Sequence, residues 1–299
     1  MKNIFVLGSL NTDLVIKSPR MPKSGETITG SDFKINFGGK GANQAVAIAK
    51  LGGSVFMGGA VGNDAFGKEM LNSLKLQNVN IDNIRIAETN TGTAVITVVN
   101  GDNRIILDSG ANATLTLDDT QKLLSNAKPN DIFITQLENP IEVVGESLKI
   151  AKKKGLFVIL NPAPANNSIK KYLSSVDLII PNETELELLT GSNSIETGAK
   201  CLNVPEVLVT LGGKGQYYYS KNKQFTNNSI KVNVVDTTAA GDTFCGALAY
   251  QLSNNASIES AIKFAGNVAS VACTKFGAQN SIPTKKEVED FLNVYNYRK

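Results

Sequence analysis

The sequence contains no histidine. Its absence excludes Ser-His-Asp and Cys-His catalytic sites, and any histidine-ligated zinc centre, from the chain's own side chains. A bound metal would have to be held by oxygen, which points to Mg²⁺ or an alkali ion. Cysteine is scarce. Cys201, Cys245 and Cys273 are widely separated with no C-x-x-C pair, as expected of reduced thiols in a cytosolic protein. No apolar stretch reaches the roughly 18 residues of a membrane-spanning helix. The run Ile4–Leu7 is too short for the core of a signal sequence and meets Asn11 and Asp13 at once. Charge of one sign is also lacking: a net charge of +3 over 299 residues is too small to argue for nucleic acid. The longest basic run, Lys152–Lys154, reads as a solvated helix end. These absences leave a cytoplasmic protein with neither a nucleic-acid nor a membrane partner.

What is present is an ordinary hydrophobic content of 42% and enough length to bury a substantial α/β core. One stretch organises the rest, Val234–Phe244 (VVDTTAAGDTF). The valines following Lys231–Asn233 read as the end of a strand. From Gly241 to Leu252, Phe244, Leu248 and Leu252 recur every four residues, which is helical spacing. Between them lies a turn of small residues whose backbone a ligand can approach closely. N–H groups at a helix start lack internal partners and carry partial positive charge, so they form an anion site. Asp242 stands in that first turn. An ordinary N-terminal cap would use the same residue types. An anion nest and a carboxylate on one turn, however, are the equipment for phosphoryl transfer to a hydroxyl. The helix terminus is expected to lower the pKa of Asp242.

Taken in order, Asn3–Gly8 reads as a strand buried on both faces. It breaks into the polar Asn11–Asp13, either an Asx turn or a ligand loop. Between Val15 and Phe37, short pieces such as Glu26–Thr29 read as strands outside the main sheet. A glycine loop, Asn36–Ala45, then offers backbone donors with Lys40 and Asn43, and a helix over Val46–Leu51 ends at Gly52-Gly53. This loop is not a Walker A motif. Ser54–Gly59 reads as a strand and Lys68–Gln77 as a helix. Thr91–Asp108 is a hairpin turning at Asn100-Gly101, and it pairs with the earlier short strands as a small antiparallel lid. Strands then alternate with helices at Asp131–Leu137, Leu156–Leu160, Asp177–Ile180 and Val207–Leu211, which implies a mostly parallel sheet. Polar or glycine-rich tips recur at five strand ends: Asn11–Asp13, Glu138–Pro140, Asn161–Pro164, Pro181–Glu185 and Gly212–Gly215. Five such tips on one edge of a sheet make a site.

The loop Gly38–Asn43 (GGKGAN) and the turn Asp236–Phe244 (DTTAAGDTF), supported by Asn161–Pro164 and Asn182–Glu185, resemble the motifs of the ribokinase-type (phosphofructokinase B) carbohydrate kinases. The resemblance runs along essentially the whole chain. It implies one domain over residues 1–299, a doubly wound, mostly parallel α/β sheet with helices on both faces, and a small antiparallel β lid from segments near 12–37 and 92–109. It further implies ATP-dependent phosphorylation of D-ribose at the 5-hydroxyl, with another sugar or nucleoside (deoxyribose, fructose or adenosine) as the rival substrate. A non-catalytic sugar or nucleotide sensor is the rival of a different class. Asp242 would be the base, and the backbone at Ala239, Ala240 and Gly241 the anion hole. Asn11, Asp13, Gly39, Lys40, Asn43 and Glu138 would hold the sugar. Asn182, Thr210, Gly212, Gly215, Gly241 and Asn267 would lie on the nucleotide side, with Glu185 helping to place Mg²⁺ through water. A potassium ion would sit at Asp236, Thr238, Ala272, Lys275, Gly277 and Ser281, several of them through backbone carbonyls. A homodimer through the lid is also implied. The chain departs from the family near the adenine, where Gly266 stands in place of a polar residue and Asn267 follows one position late.

Overall fold

The structure, a computed structural model, describes residues 1–297. Strands β1 (Ile4–Leu7), β2 (Asn11–Lys17) and β3 (Ser31–Gly38) lead to α1 (Lys40–Lys50), β4 (Val55–Gly62), α2 (Ala65–Leu76) and β5 (Asn80–Ala87). There follow β6 (Gly92–Val99), β7 (Asp102–Asp108), α3 (Leu117–Leu123), β8 (Ile132–Thr135), α4 (Ile141–Lys153), β9 (Phe157–Leu160) and β10 (Leu178–Ile179). The last third holds α5 (Glu183–Thr190), α6 (Ile195–Cys201), β11 (Glu206–Thr210), β12 (Gln216–Ser220), β13 (Gln224–Asn227), α7 (Ala240–Ser253), α8 (Ile258–Ala272) and α9 (Lys285–Tyr297).

Nine strands form one sheet in the order β13-β12-β11-β10-β9-β8-β1-β4-β5. Strand β1 pairs in parallel with both β4 and β8. Its four apolar residues divide by the two-residue strand period: Ile4 and Val6 enter one core, Phe5 and Leu7 the other. Helices α1, α2, α7, α8 and α9 supply the first core, and α3 to α6 the second. This is the doubly wound arrangement expected. The βα rhythm stops at the edge, where β11 and β12 and then β12 and β13 pair antiparallel.

The separate four-stranded sheet has the order β3-β2-β6-β7. Its outer pairs are antiparallel, whereas the central β2–β6 pair is parallel. The hairpin turn is as expected, with Asn100 at φ 53° and Gly101 at φ 85°. Strand β2 starts at Asn11, so Asn11–Asp13 form a strand and not a turn.

Three further readings are corrected. Glu26–Thr29 is loop, with Glu26 drawn into a turn by its backbone bond to Lys23 and its bidentate pair with Arg20. Residues 232–235 are not a strand. The N–H groups of Val235 and Asp236 both donate to the carbonyl of Cys273 (2.8 and 3.3 Å), which docks the segment on the end of α8 and leaves Val234 62% exposed. Helix α1 starts at Lys40 and α2 at Ala65, earlier than their apolar periodicity shows. In α1, a Cβ on Gly41 would stand 2.6 Å from the backbone of Gly8, so the glycines are there for close packing of a helix. In α2 the side chain of Asp64 caps the helix through the N–H of Gly67.

Candidate active site

The loops at the carboxyl ends of β1, β8, β9, β10 and β11 converge on the N-termini of α1, α5 and α7. A cavity of about 230 Å³ lies there, lined by Lys40, Asn182, Glu185, Thr210 and Ala239–Asp242 among the residues singled out from sequence. Asn161, Ala163, Ile180, Thr237 and Cys245 complete its wall.

Helix α7 begins without a side-chain cap, from Ala239 in the left-handed conformation (φ 58°). The N–H of Ala240 donates to the Thr237 carbonyl at 3.1 Å, so of the three donors expected of an anion hole Ala240 is partly engaged. Gly241 faces open space, with nothing within 4 Å of where a Cβ would be. Asp242, only 7% exposed, accepts from Asn43 Nδ2 (2.9 Å) at Oδ2 and from Gln44 Nε2 (3.3 Å) at Oδ1. Burial raises its pKa above the ordinary carboxylate range, and the charge of Lys40 and the amide of Asn43 oppose that only in part. The expectation of a lowered pKa is thereby overturned: desolvation outweighs the helix terminus. Burial would lower the pKa of Lys40, but the carboxylates of Asp242, Glu138 and Glu185 more than offset it and raise it. Burial also pushes the Cys245 thiol well up, so it is inert.

Lys40 joins two halves of the site. Its side chain lines the cavity, and its N–H donates to Glu138 Oε2 (3.1 Å), which also accepts from Ser9 Oγ (2.5 Å). Beyond Glu138 lies Asp13, its pKa raised to about 7 by burial and then by the charge of Glu138. Gly38 makes room for Asp13, because a Cβ there would stand 2.5 Å from Oδ2. Gly39 (φ 87°) lies so close to Ser9 and Asn11 that a Cβ would be 2.7 Å from their backbone. Asn11 Oδ1 accepts from Asn112 Nδ2 (2.7 Å), a residue that sequence reasoning missed. Asn112 also brackets Leu10 through both backbone groups. The Oδ1 of Asn43 is buried with no partner among the described residues. This leaves an acceptor beside Asp242 open to a donor, from a bound molecule or from water.

On the other side, Asn182 and Glu185 cap one another across the first turn of α5 (2.8 Å each way), and Asn182 bridges to Thr210. One oxygen of Glu185 is thus engaged by the backbone. Burial raises its pKa, opposed by that bond and by Lys40. Gly212 and Gly215 lie outside the cavity lining, in the turn after β11, where φ of 56° and 108° requires glycine. Asn267 also lies outside it, on α8. Its neighbour Gly266 faces the Gln216 amide, with a Cβ position 3.1 Å from Oε1.

The residues expected to hold a cation fall into two groups. Asp236 Oδ1 accepts from the N–H (2.9 Å) and hydroxyl (2.7 Å) of Thr238, and Oδ2 accepts from the Gly277 N–H (3.0 Å), joining the turn to the segment after α8. Burial raises the Asp236 pKa, but these hydrogen bonds outweigh it and keep the carboxyl low. Of the others, the Ala272 carbonyl accepts from the Lys275 N–H, the Lys275 side chain pairs with Glu287, and Ser281 Oγ donates to Ala278, bonds that leave acceptor capacity on the Ala272 and Ser281 oxygens. Among the described residues no group of three or more His, Cys, Asp or Glu is poised to hold a metal.

A sequence profile of the pfkB family of carbohydrate kinases matches residues 1–285, and the chain belongs to that family. It is 40% identical to a ribokinase of Haemophilus influenzae, over 97% of this chain and 98% of that one. It is 35% identical to a deoxyribokinase of Salmonella typhi over 98% and 99% of the two chains. Among solved structures, an Arabidopsis thaliana ribokinase complexed with ribose and ATP superposes with a TM-score of 0.88 at 36% identity, covering 97% of this chain and 98% of that one.

Proposed function

We propose that this chain transfers the γ-phosphoryl group of ATP to the 5-hydroxyl of D-ribose. The observation that carries the reading is Asp242, a buried carboxylate on an uncapped helix N-terminus, between an open backbone nest and the unpartnered Oδ1 of Asn43. Asp13, Asn43 and Glu138 hold the sugar hydroxyls, and Gly39 brings the backbone against the ring. Ribose O5 bonds to the γ-phosphorus as the bond from that phosphorus to the β,γ-bridging oxygen breaks, and the hydroxyl proton passes to Asp242. In a loose transition state that proton moves late, so orientation of the hydroxyl counts for more than prior deprotonation. The N–H groups of Ala239 and Gly241 face the charge on the transferred group, and Lys40 adds a fixed positive charge. The nucleotide lies along Asn182 and Thr210, with Gly212, Gly215 and Asn267 further out.

Glu185 keeps one oxygen free of the Asn182 N–H and would hold Mg²⁺ through water, where the metal neutralises phosphate charge. Asp236, ionised and linked to Thr238 and Gly277, fits a potassium ion bound by oxygen alone, which would keep the anion nest in shape. The exposed apolar residues Phe33, Ile35, Ile105 and Ile106 on the lid support a homodimer through that sheet. Three free thiols accord with a cytoplasmic setting.

The identity with a deoxyribokinase favours one second reading, 2-deoxyribose as substrate. ADP release measured with ribose, 2-deoxyribose, fructose and adenosine, each with Mg²⁺ and with or without potassium, separates the readings. Ribose is expected to exceed 2-deoxyribose in kcat/KM by about tenfold or more, the cost of leaving one buried polar group unpaired. Equal values would reject the ribose assignment. Equal rates in sodium-only buffer would reject the potassium site.

A further inference from the structure

Beside Asp242 lies a row of buried amides that starts at Asn161 in the cavity wall. Gln44 and Gln136 are fully buried and Asn161 is 8% exposed. Asn161 donates through Nδ2 to the Ile180 carbonyl (3.0 Å), so its Oδ1 faces the other way. There it accepts from Gln44 Nε2 (3.2 Å), the same nitrogen that donates to Asp242 Oδ1 (3.3 Å). Gln44 Oε1 in turn accepts from Gln136 Nε2 (2.7 Å). A backbone carbonyl and an ionised carboxylate can only accept. These ends therefore set the orientation of each amide between them. Turning Gln44 over would put its oxygen against the oxygens of both Asp242 and Asn161, and its nitrogen against the nitrogen of Gln136.

We propose that Gln44, oriented by Gln136 and Asn161, is a positioning residue that presents Asp242 to the incoming hydroxyl. The inference rests on Asp242 as the base. Asn43 and Gln44, consecutive on α1, each take one acceptor site on a different carboxylate oxygen. The carboxylate can then neither rotate nor tilt, and it retains a lone pair on each oxygen for the substrate. The charged and titratable groups facing Asp242 are Lys40, Glu138, Glu185 and Cys245. The amides favour its ionised form against the cost of burial. Gln44 lies 92 positions from Gln136 and 117 from Asn161 along the chain, so the arrangement exists only in the folded molecule.

The test compares the parent protein with Gln44→Met, which keeps the length and removes the donor, and with Gln136→Met, which leaves Gln44 in place but removes the donor to its Oε1 and so loosens it. With ribose, ATP and Mg²⁺, Gln44→Met is expected to lose about tenfold in kcat while both KM values stay within about twofold. The acidic limb of its kcat profile should move to higher pH. Gln136→Met should lose about threefold, for the same reason in weaker form. Carbon-13 NMR titration of the Asp242 carboxyl in the ligand-free protein supplies a readout that needs no turnover. Its midpoint should rise by about one unit in Gln44→Met, the loss of one charge-assisted hydrogen bond. An unchanged midpoint overturns the proposal whatever kcat does, as does an unchanged kcat in an active parent. If the parent phosphorylates no sugar, the ribose reading fails on its own and the titration still decides the role of Gln44. If Gln44→Met does not fold, the same two readouts on Gln136→Met decide it.

Discussion

Asp13 combines binding and destabilisation in one side chain. Its pKa stands near 7, against an ordinary value of 3.8, because it is buried and faces Glu138. Between those two values the folded protein holds a proton that the unfolded chain has released, so stability falls as pH rises through that window. In the proposed role, the same ionisation would make Asp13 a strong acceptor for two sugar hydroxyls. Two outcomes are expected. In the parent, KM for ribose should rise as pH falls below about 7. Asp13→Asn should raise the melting temperature by a few degrees at pH 8 and by less at pH 5, while raising KM about tenfold or more through the lost charged acceptor. Melting curves at the two pH values, with sugar saturation curves, check both. A variant less stable than the parent at pH 8 would contradict the electrostatic account.

Among the elements, the pair α1 and α7 decides whether the site exists. Gly246 on α7 packs so closely on α1 that a Cβ would stand 2.7 Å from both the Ala47 Cβ and the Gln44 carbonyl. The second contact is backbone and cannot swing away. Gly246→Val should therefore cost about 1–3 kcal/mol of stability through overpacking. It should also lower kcat, because it pushes Gln44 and Asn43 away from Asp242. Urea unfolding and steady-state rates measure the two effects, and a variant with parental values of both would refute this geometry. Elements whose signals are local were legible in the chain. The Ile4–Leu7 run, the Asn100-Gly101 hairpin and the turn at Asp236–Asp242 each carry their reason within a few residues. Elements set by distant contacts were not. Val234 and Val235 have strand propensity but form no strand, because the Cys273 carbonyl takes the N–H groups of Val235 and Asp236. Helix α1 starts in a glycine run because Gly8 lies beneath it, and the parallel β2–β6 pairing joins segments about 80 residues apart. Motif alone singled out Lys40, Asn182, Glu185, Thr210 and Ala239–Asp242, which line one cavity, whereas the raised pKa of Asp242 was not legible: burial is a property of the whole fold.

For the whole molecule, the lid and the α/β core divide the work. The small sheet carries Asn11 and Asp13, the residues proposed to meet the sugar, on β2, and leaves Ile105 (59%) and Ile106 (76%) exposed on its edge strand. A homodimer through this sheet predicts that Ile106→Glu lowers the sedimentation-derived mass from dimer to monomer at micromolar concentration. An unchanged mass would place the interface elsewhere. The core supplies the phosphoryl-transfer groups, and the account stands or falls on Asp242. The most direct measurement is the rate of ribose-dependent ADP formation by Asp242→Asn, with circular dichroism and melting recorded alongside. Asparagine keeps the size and the buried setting but cannot take the proton. Turnover is predicted to drop by about a thousandfold or more with the fold intact, the scale of a lost general base together with its charge. Turnover by Asp242→Asn at the parental rate would contradict the account.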